Sequence, residues 1–316
     1  VPHRLLAVAL FAAACSSSAP IVRVFVANTA DDTVSVIDGA LDRETQIIAV
    51  GPSPQAIALD PNEPVVAVSN GGASTVTLID PLALTVKGDP VKVGRRPEGV
   101  AFSRDGALLF AASPVDLSVA VIDTATRAPR RDPIPFAKQP QRVTATPDGR
   151  LLVTLHDEAG EIALVDPVAG TVLATAAVGP FPSDVVVTPD GKRVLASSFD
   201  AQMLTVLDAT TLARLDQYRI QVGSGLVCHP TKPLLFSLLG FEGEVAIVDL
   251  DARKEIASIT AGAGPTYSAI TADGRTLYVV NNDANNVVKI DTEKRQAVVR
   301  IAVGAEPAGA VVYTSR

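Results

Sequence analysis

Five side chains in this sequence could do chemistry together: Glu98, Arg142, His156, Asp184 and Tyr267. Four of them follow a proline in loops of the form G-x-x-P or close to it: GRRPEG carries Glu98, AKQPQR carries Arg142, GPFPSD carries Asp184 and GAGPTY carries Tyr267. His156 ends a short apolar run, LLVTLH, in the same repeat as Arg142. A set that mixes a guanidinium, an imidazole, two carboxylates and a phenol suits the holding of a polar ligand. Within it, Arg142 could stabilise an oxyanion and His156 could shuttle a proton, which is the outline of a hydrolase. Alternatively Arg142 and Asp184 pair with each other at a rim and bind nothing, since exposed pairs contribute only about 0–1 kcal/mol.

Other chemistries are poorly supplied. His3 lies at the N-terminus, and His156 and His229 fall in turns at opposite ends of their strands, so the spacing offers no metal-ligand set. Calcium needs six to eight oxygens from a compact group, and no D-x-D-x-D loop occurs. There is no Trp and no C-x-x-C-H, which leaves a quinoprotein or haem protein without its usual parts. No cofactor is expected. Acidic residues do gather in one set of turns: Asp31, Asp32, Asp116, Asp157, Glu158, Asp200, Glu242, Glu244 and Asp283. A solvated rim is their ordinary explanation.

These residues must be positioned by a repeat. A strand ending in Asp recurs as VSVID, VTLID, VAVID, IALVD, LTVLD, VAIVD and VVKID, with the aspartates at 38, 80, 123, 166, 208, 249 and 291. In six copies a Pro-Asp-Gly-like turn stands at a fixed distance before that Asp, the slot being held by Pro61, Arg104, Pro147, Pro189, Pro230 and Ala272. Each copy reads as four short strands, A to D, with no helical period between copies, which predicts a β-propeller. The C-terminus supplies only a strand A, AGAVVYT, and residues 21–50 supply only B, C and D. One blade is therefore shared between the termini, closing an all-β ring of seven blades with four antiparallel strands each. In such a ring the two residues after each loop proline face the channel mouth on the top. The residue ten before each Asp (Asn28, Asn70, Ser113, His156, Ser198, Leu239, Asn281) is expected to serve the B–C turn, with Asn and His suited to a left-handed backbone. The repeated Asp is expected to bond the C–D turn.

The chain resembles the YVTN family of seven-bladed propellers, named for a strand-B motif that YVVN at 278–281 nearly spells. The resemblance covers nearly all of residues 21–316. It implies the fold and an extracytoplasmic address, and it implies no particular activity. The hydrolase alternative is similar to seven-bladed lactonases working from the channel mouth, but no catalytic motif of theirs can be matched position by position.

The N-terminus adds an address of its own. Arg4 precedes an apolar run from Leu5 to Ala14, too short to span a bilayer and fitting a signal-peptide core. Ala12-Ala13-Ala14-Cys15 resembles the bacterial lipobox, in which the cysteine is lipidated, although that motif usually has Leu where Ala12 stands. The expected division is a signal peptide over 1–14, lipidated Cys15 with a linker over 15–20, and the propeller over 21–316. Cys228 would then be the sole thiol, a buried small hydrophobe. With Arg4 removed, 26 basic residues face 34 acidic ones, a net charge of −8. That balance disfavours nucleic acid as a partner. The expected protein is a lipid-anchored monomer of the bacterial cell envelope, binding a protein or a small polar ligand at its top face.

Overall fold

The structure is a computed structural model and describes residues 20–198 and 200–315. Its strands form seven antiparallel sheets arranged as a seven-bladed β-propeller. We number the blades from the first complete one, with strand A innermost: 54–92, 99–135, 139–177, 182–219, 225–260 and 265–302. The seventh blade joins Pro307–Thr314 as strand A to Val22–Asn28, Thr33–Asp38 and Arg43–Ala49 as B, C and D. Val24 pairs with Val312 and Phe25 with Val311 across that closure. The proposed signal peptide and Cys15 lie outside the described residues. Among the described residues no helix is long and apolar enough to cross a membrane.

Strands B and C read as nearly continuous apolar runs because each blade is covered on both faces by its neighbours. Their period of two decides which neighbour each side chain meets. In the seventh blade Val24, Val26 and Ile37 pack with Tyr278, Val280 and Val287 of the sixth, whereas Phe25, Ala27, Val34 and Val36 pack with Val66, Val68 and Ile79 of the first. Tyr278 is buried, and desolvation pushes its phenol up to about 12. Strand D lies outside and alternates with solvent, as in Arg43–Ala49. In the first two blades strand D is broken into Thr85–Val86 with Val91–Lys92, and Ala128–Pro129 with Ile134–Pro135, all paired to strand C. The interruptions KGDP and RRDP explain this, since Pro90 and Pro133 have no N–H to give to a ladder.

The turns follow one pattern with one correction to expectation. Each strand-C aspartate accepts backbone N–H groups two or three residues on: Asp38 Oδ1 takes Ala40 at 2.9 Å and Leu41 at 3.0 Å, and Asp291 Oδ1 takes Glu293 at 3.0 Å and Lys294 at 2.8 Å. These bonds hold the Asp291 carboxyl below its ordinary range. The residue ten before the Asp, however, is not the left-handed one. Positive φ occurs four residues later in every copy, at Asp32, Ser74, Leu117, Gly160, Gln202, Gly243 and Asn285. Asn28 and Asn70 instead are buried and donate across to strand C, Asn28 Nδ2 to Ser35 Oγ at 2.8 Å and Asn70 Nδ2 to Thr77 Oγ1 at 2.8 Å. The amide ties B to C, and the turn itself takes its sharp residue later.

Several of the acidic turn residues have local work. Asp32 accepts the Ser53 N–H at 2.8 Å, Asp116 that of Arg95 at 2.6 Å, Asp31 that of Ala305 at 2.7 Å and Asp157 that of Gly160 at 2.8 Å. Asp32 thereby fastens its B–C turn to the D–A loop leading into the next blade, and Asp31 and Asp116 fasten theirs to the loop leading into their own.

Candidate functional site

The D–A loops bring strand A to the channel and leave the second residue after each proline facing inward. Ala56, Gly99, Arg142, Asp184, Tyr267 and Gly309 hold this position. In the fifth blade, where the proline is missing, Gly225 pairs with Leu238 as Tyr267 does with Val280, so it holds the same place. One layer of the channel thus carries three long side chains among four small ones.

Arg142 uses that room. It extends from the third blade to the sixth, where Nη1 donates to the Tyr267 hydroxyl and the guanidinium carbon stands 4.5 Å from the ring centroid. This is a hydrogen bond and a cation–π contact at once, made across the channel. Its backbone N–H is held by Thr154 Oγ1 at 2.8 Å. Burial would lower the guanidinium, but Tyr267, Asp184 and Glu98 together outweigh it and keep the group above its ordinary value.

Arg142 and Asp184 do not form the rim pair that adjacency suggested. Among the described residues no ion pair joins them. Asp184 turns its oxygens to backbone instead, accepting the Val185 N–H at 2.9 Å and the Leu226 N–H of the fifth blade at 2.8 Å. Burial raises its carboxyl, against the opposing pull of Arg142 and those two N–H groups. Glu98 accepts from Gln141 Nε2 at 3.2 Å and lies 3.6 Å from Arg96. The bond to Gln141 links the second and third blades.

Above this layer opens a cavity of about 460 Å³, lined from the third to the sixth blade by Arg142, His156, Phe181, Thr266, Phe241 and Asp283 among others. Arg142 and His156 therefore share one cavity, while Glu98, Asp184 and Tyr267 act on Arg142 from outside its lining. His156 takes the strand-B position where other blades use Asn, and its ring tilts against Phe181 at a centroid distance of 5.2 Å. Three lining polar atoms are buried without a partner among the described residues: Arg142 Nε, His156 Nδ1 and Thr266 Oγ1. Phe181 and Phe241 were not expected from sequence. Their signal was present, for each is a large apolar residue inside a loop otherwise built of Gly, Pro and acid, and Phe241 is 87% exposed.

A second cavity of about 410 Å³ lies on the opposite face between the fourth and fifth blades, lined by Asp190, Arg193, Cys228 and Lys232. Cys228 is half-buried on the cavity wall rather than fully buried as expected, and desolvation pushes its thiol up to about 12. A thiol so placed is inert as a nucleophile. Among the described residues no group of three or more His, Cys, Asp and Glu is placed to hold a metal ion.

Comparison with known proteins bears on the fold. A family model for YNCE-like β-propellers matches residues 2–113. No curated protein matches the sequence. Among solved structures, the chain is similar to hydrazine synthase of Kuenenia stuttgartiensis, at 22% identity and a TM-score of 0.77 over 85% of this chain and 92% of that one. A functionally unknown protein from Desulfotomaculum acetoxidans aligns at 13% identity and a TM-score of 0.79, over 93% and 99% of the two chains. The dihydro-heme d1 dehydrogenase NirN, in complex with DHE, aligns at 17% and 0.65, over 91% and 74%. At these identities the likeness is one of fold. Together with the seven repeats and the family match, it makes this chain a β-propeller repeat protein.

Proposed function

We propose that this propeller is an extracytoplasmic binding module, anchored by lipid at Cys15, that takes a ligand or a protein segment at the top of its channel. The observation that carries the reading is the cavity of about 460 Å³ over the channel, walled by four consecutive blades and floored by the Arg142 guanidinium. Pockets of this size with a few convergent polar groups in apolar walls are where ligands bind. The address rests on the N-terminal sequence and on the resemblance to YVTN-type propellers. The lactonase-like alternative has Arg142 and His156 on one cavity, but among the described residues no group bonds His156 Nδ1 to orient it, as the carboxylate of a catalytic triad does.

Two measurements test the proposal. Arg142→Ala with His156→Ala is expected to abolish capture of whatever the wild-type protein retains from solubilised envelope, whereas Asp148→Ala and Asp190→Ala, in the opposite-face turns, are expected to leave it intact. The reverse result would place function on the other face. For the anchor, Cys15→Ser is expected to move the protein from the membrane fraction to the soluble one, because the acyl chains are what hold it. Unchanged fractionation and processing would refute the lipid anchor.

A further inference from the structure

The charge and the unpartnered groups of the top cavity narrow what it can take. Arg142 can only donate, and its Nε has no acceptor among the described residues. Thr266 Oγ1 and His156 Nδ1, also unpartnered, can each donate in the appropriate rotamer or tautomer. The demand common to all three is for acceptor oxygens. A buried polar group without a partner is costly, and three lining one cavity mark a place where an absent molecule would complete the set. Arg142 also has no carboxylate within ion-pair distance among the described residues: Asp184 has given its oxygens to backbone N–H groups, and Glu98 faces Gln141 and Arg96.

The surroundings limit the charge that can enter. Asp200 and Asp283 line the same cavity, and Asp184 and Glu98 lie close enough to act on the guanidinium. The four carboxylates outnumber the one cation, so an entering anion is favoured only where it touches the guanidinium directly, and each further negative charge on it meets repulsion without a second cation to offset it. Phe181 and Phe241 give the cavity an apolar wall, with room for a body about the size of one or two rings. We propose, building on the binding-module reading, that the cavity takes a small organic monocarboxylate with an apolar body. The carboxylate meets Arg142 and Thr266, and the body lies against the two phenylalanines. Phosphate esters and di- or tricarboxylates are excluded by the acidic ring, and neutral analogues by the unpaired guanidinium.

The test is calorimetric titration of the full chain with 3-phenylpropanoate, 3-phenylpropanamide and phenyl phosphate at low salt. The acid is expected to bind at least tenfold more tightly than the isosteric amide and than the phosphate ester. Arg142→Gln is expected to lose at least tenfold for the acid and little for the amide, and Arg142→Lys, which keeps the charge, to recover part of it. Arg193→Gln, at the opposite-face cavity, is expected to change nothing. Equal binding of acid and amide that still depends on Phe241 would overturn the carboxylate assignment while leaving the top cavity as the site. Binding of the acid that is lost in Arg193→Gln and kept in Arg142→Gln would overturn both. Absence of heat with the acid and with longer aryl and alkyl monocarboxylates would also overturn the assignment.

Discussion

His229 gives this propeller a pH-dependent clamp whose size can be worked out. At the start of the A–B turn the first blade has Asp60, whose Oδ1 accepts the N–H groups of Asn62 at 2.9 Å and Glu63 at 3.0 Å. In the fifth blade His229 stands in that place, and its Nδ1 accepts the N–H groups of Thr231 at 3.2 Å and Lys232 at 3.1 Å. The imidazole is 2% exposed and stacks on Phe236. Both bonds require Nδ1 to be unprotonated. Burial, with Lys232 nearby, lowers the His229 pKa, against Asp273 and Glu293, which raise it. Because the folded pKa is depressed, the unfolded chain binds the proton more readily. Stability is therefore full above the ordinary histidine value and falls as pH drops through and below it, by at most about 1.4 kcal/mol per pH unit for one proton. His229→Ala removes two hydrogen bonds at about 1 kcal/mol each and leaves a small cavity, roughly 2–4 kcal/mol together. At about 2.1 cal/mol/K per residue this is roughly 3–6 °C of melting temperature. His229→Asn keeps an acceptor where Nδ1 was and cannot titrate. Thermal melts at pH 7.5 and 5.5 should show the wild type losing stability toward the lower pH and the Asn variant losing less. Asp184, whose pKa is raised, contributes with the opposite sign but is common to both proteins. A pH slope unchanged in His229→Asn would refute the clamp.

Two further outcomes follow from the closure and from the desolvated, half-buried thiol. Deleting Gly304–Arg316 removes the innermost strand of the seventh blade, uncovering Val24 and Phe25 and opening the edge of the strand Val22–Asn28. The product is expected to aggregate or melt without cooperativity, and a sharp transition at the parent temperature would refute the shared blade. With its thiol pushed up to about 12, Cys228 in a Cys15→Ser chain is expected to react with a disulfide reagent at pH 8 roughly a thousandfold more slowly than an ordinary cysteine until the protein is unfolded. Stoichiometric labelling of the native protein within minutes would contradict that burial.

The scaffold was legible because every blade solves the same problem with the same residues. The strand-C aspartates recur since each C–D turn has the same orphan N–H groups to satisfy, and the ring closes since the terminal fragments are complementary in strand number. What escaped the sequence is what depends on distance across the ring. Arg142 and Asp184 are neighbours in blade order, so pairing them was the natural expectation. Their side chains part because the Leu226 N–H of the fifth blade is nearer to Asp184, while Arg142 is long enough to reach Tyr267 three blades away. The position of left-handed residues in the B–C turn was misjudged for a related reason. Asn is tolerant of that backbone, but here its amide serves better buried, bridging two strands.

The departures from the repeat then carry the functional argument. A propeller with seven equal blades would place the same residue seven times around its channel. Here the inward position is glycine in the second, fifth and seventh blades, where the next blade's backbone crowds any side chain, most severely in the second. A Cβ at Gly99 would stand 2.3 Å from the Gln141 carbonyl oxygen, at Gly225 2.9 Å from that of Thr266, and at Gly309 3.0 Å from that of Gln55. In the third, fourth and sixth blades the same position carries Arg142, Asp184 and Tyr267. The small residues leave the lumen clear for Arg142 to cross it, and the crossing sets a single positive charge beneath a cavity lined by aromatic rings. The blades pack through apolar contact and close through the seventh blade's shared strands, and the Arg142–Tyr267 contact adds a tie between the third and sixth blades. Arg142 is half-buried and tied to Tyr267 on one side, while the carboxylates of Asp184 and Glu98 accept from other groups, so a carboxylate entering the cavity would find the guanidinium without a competing ion pair, and the loss of acid binding in Arg142→Gln is the result that decides it.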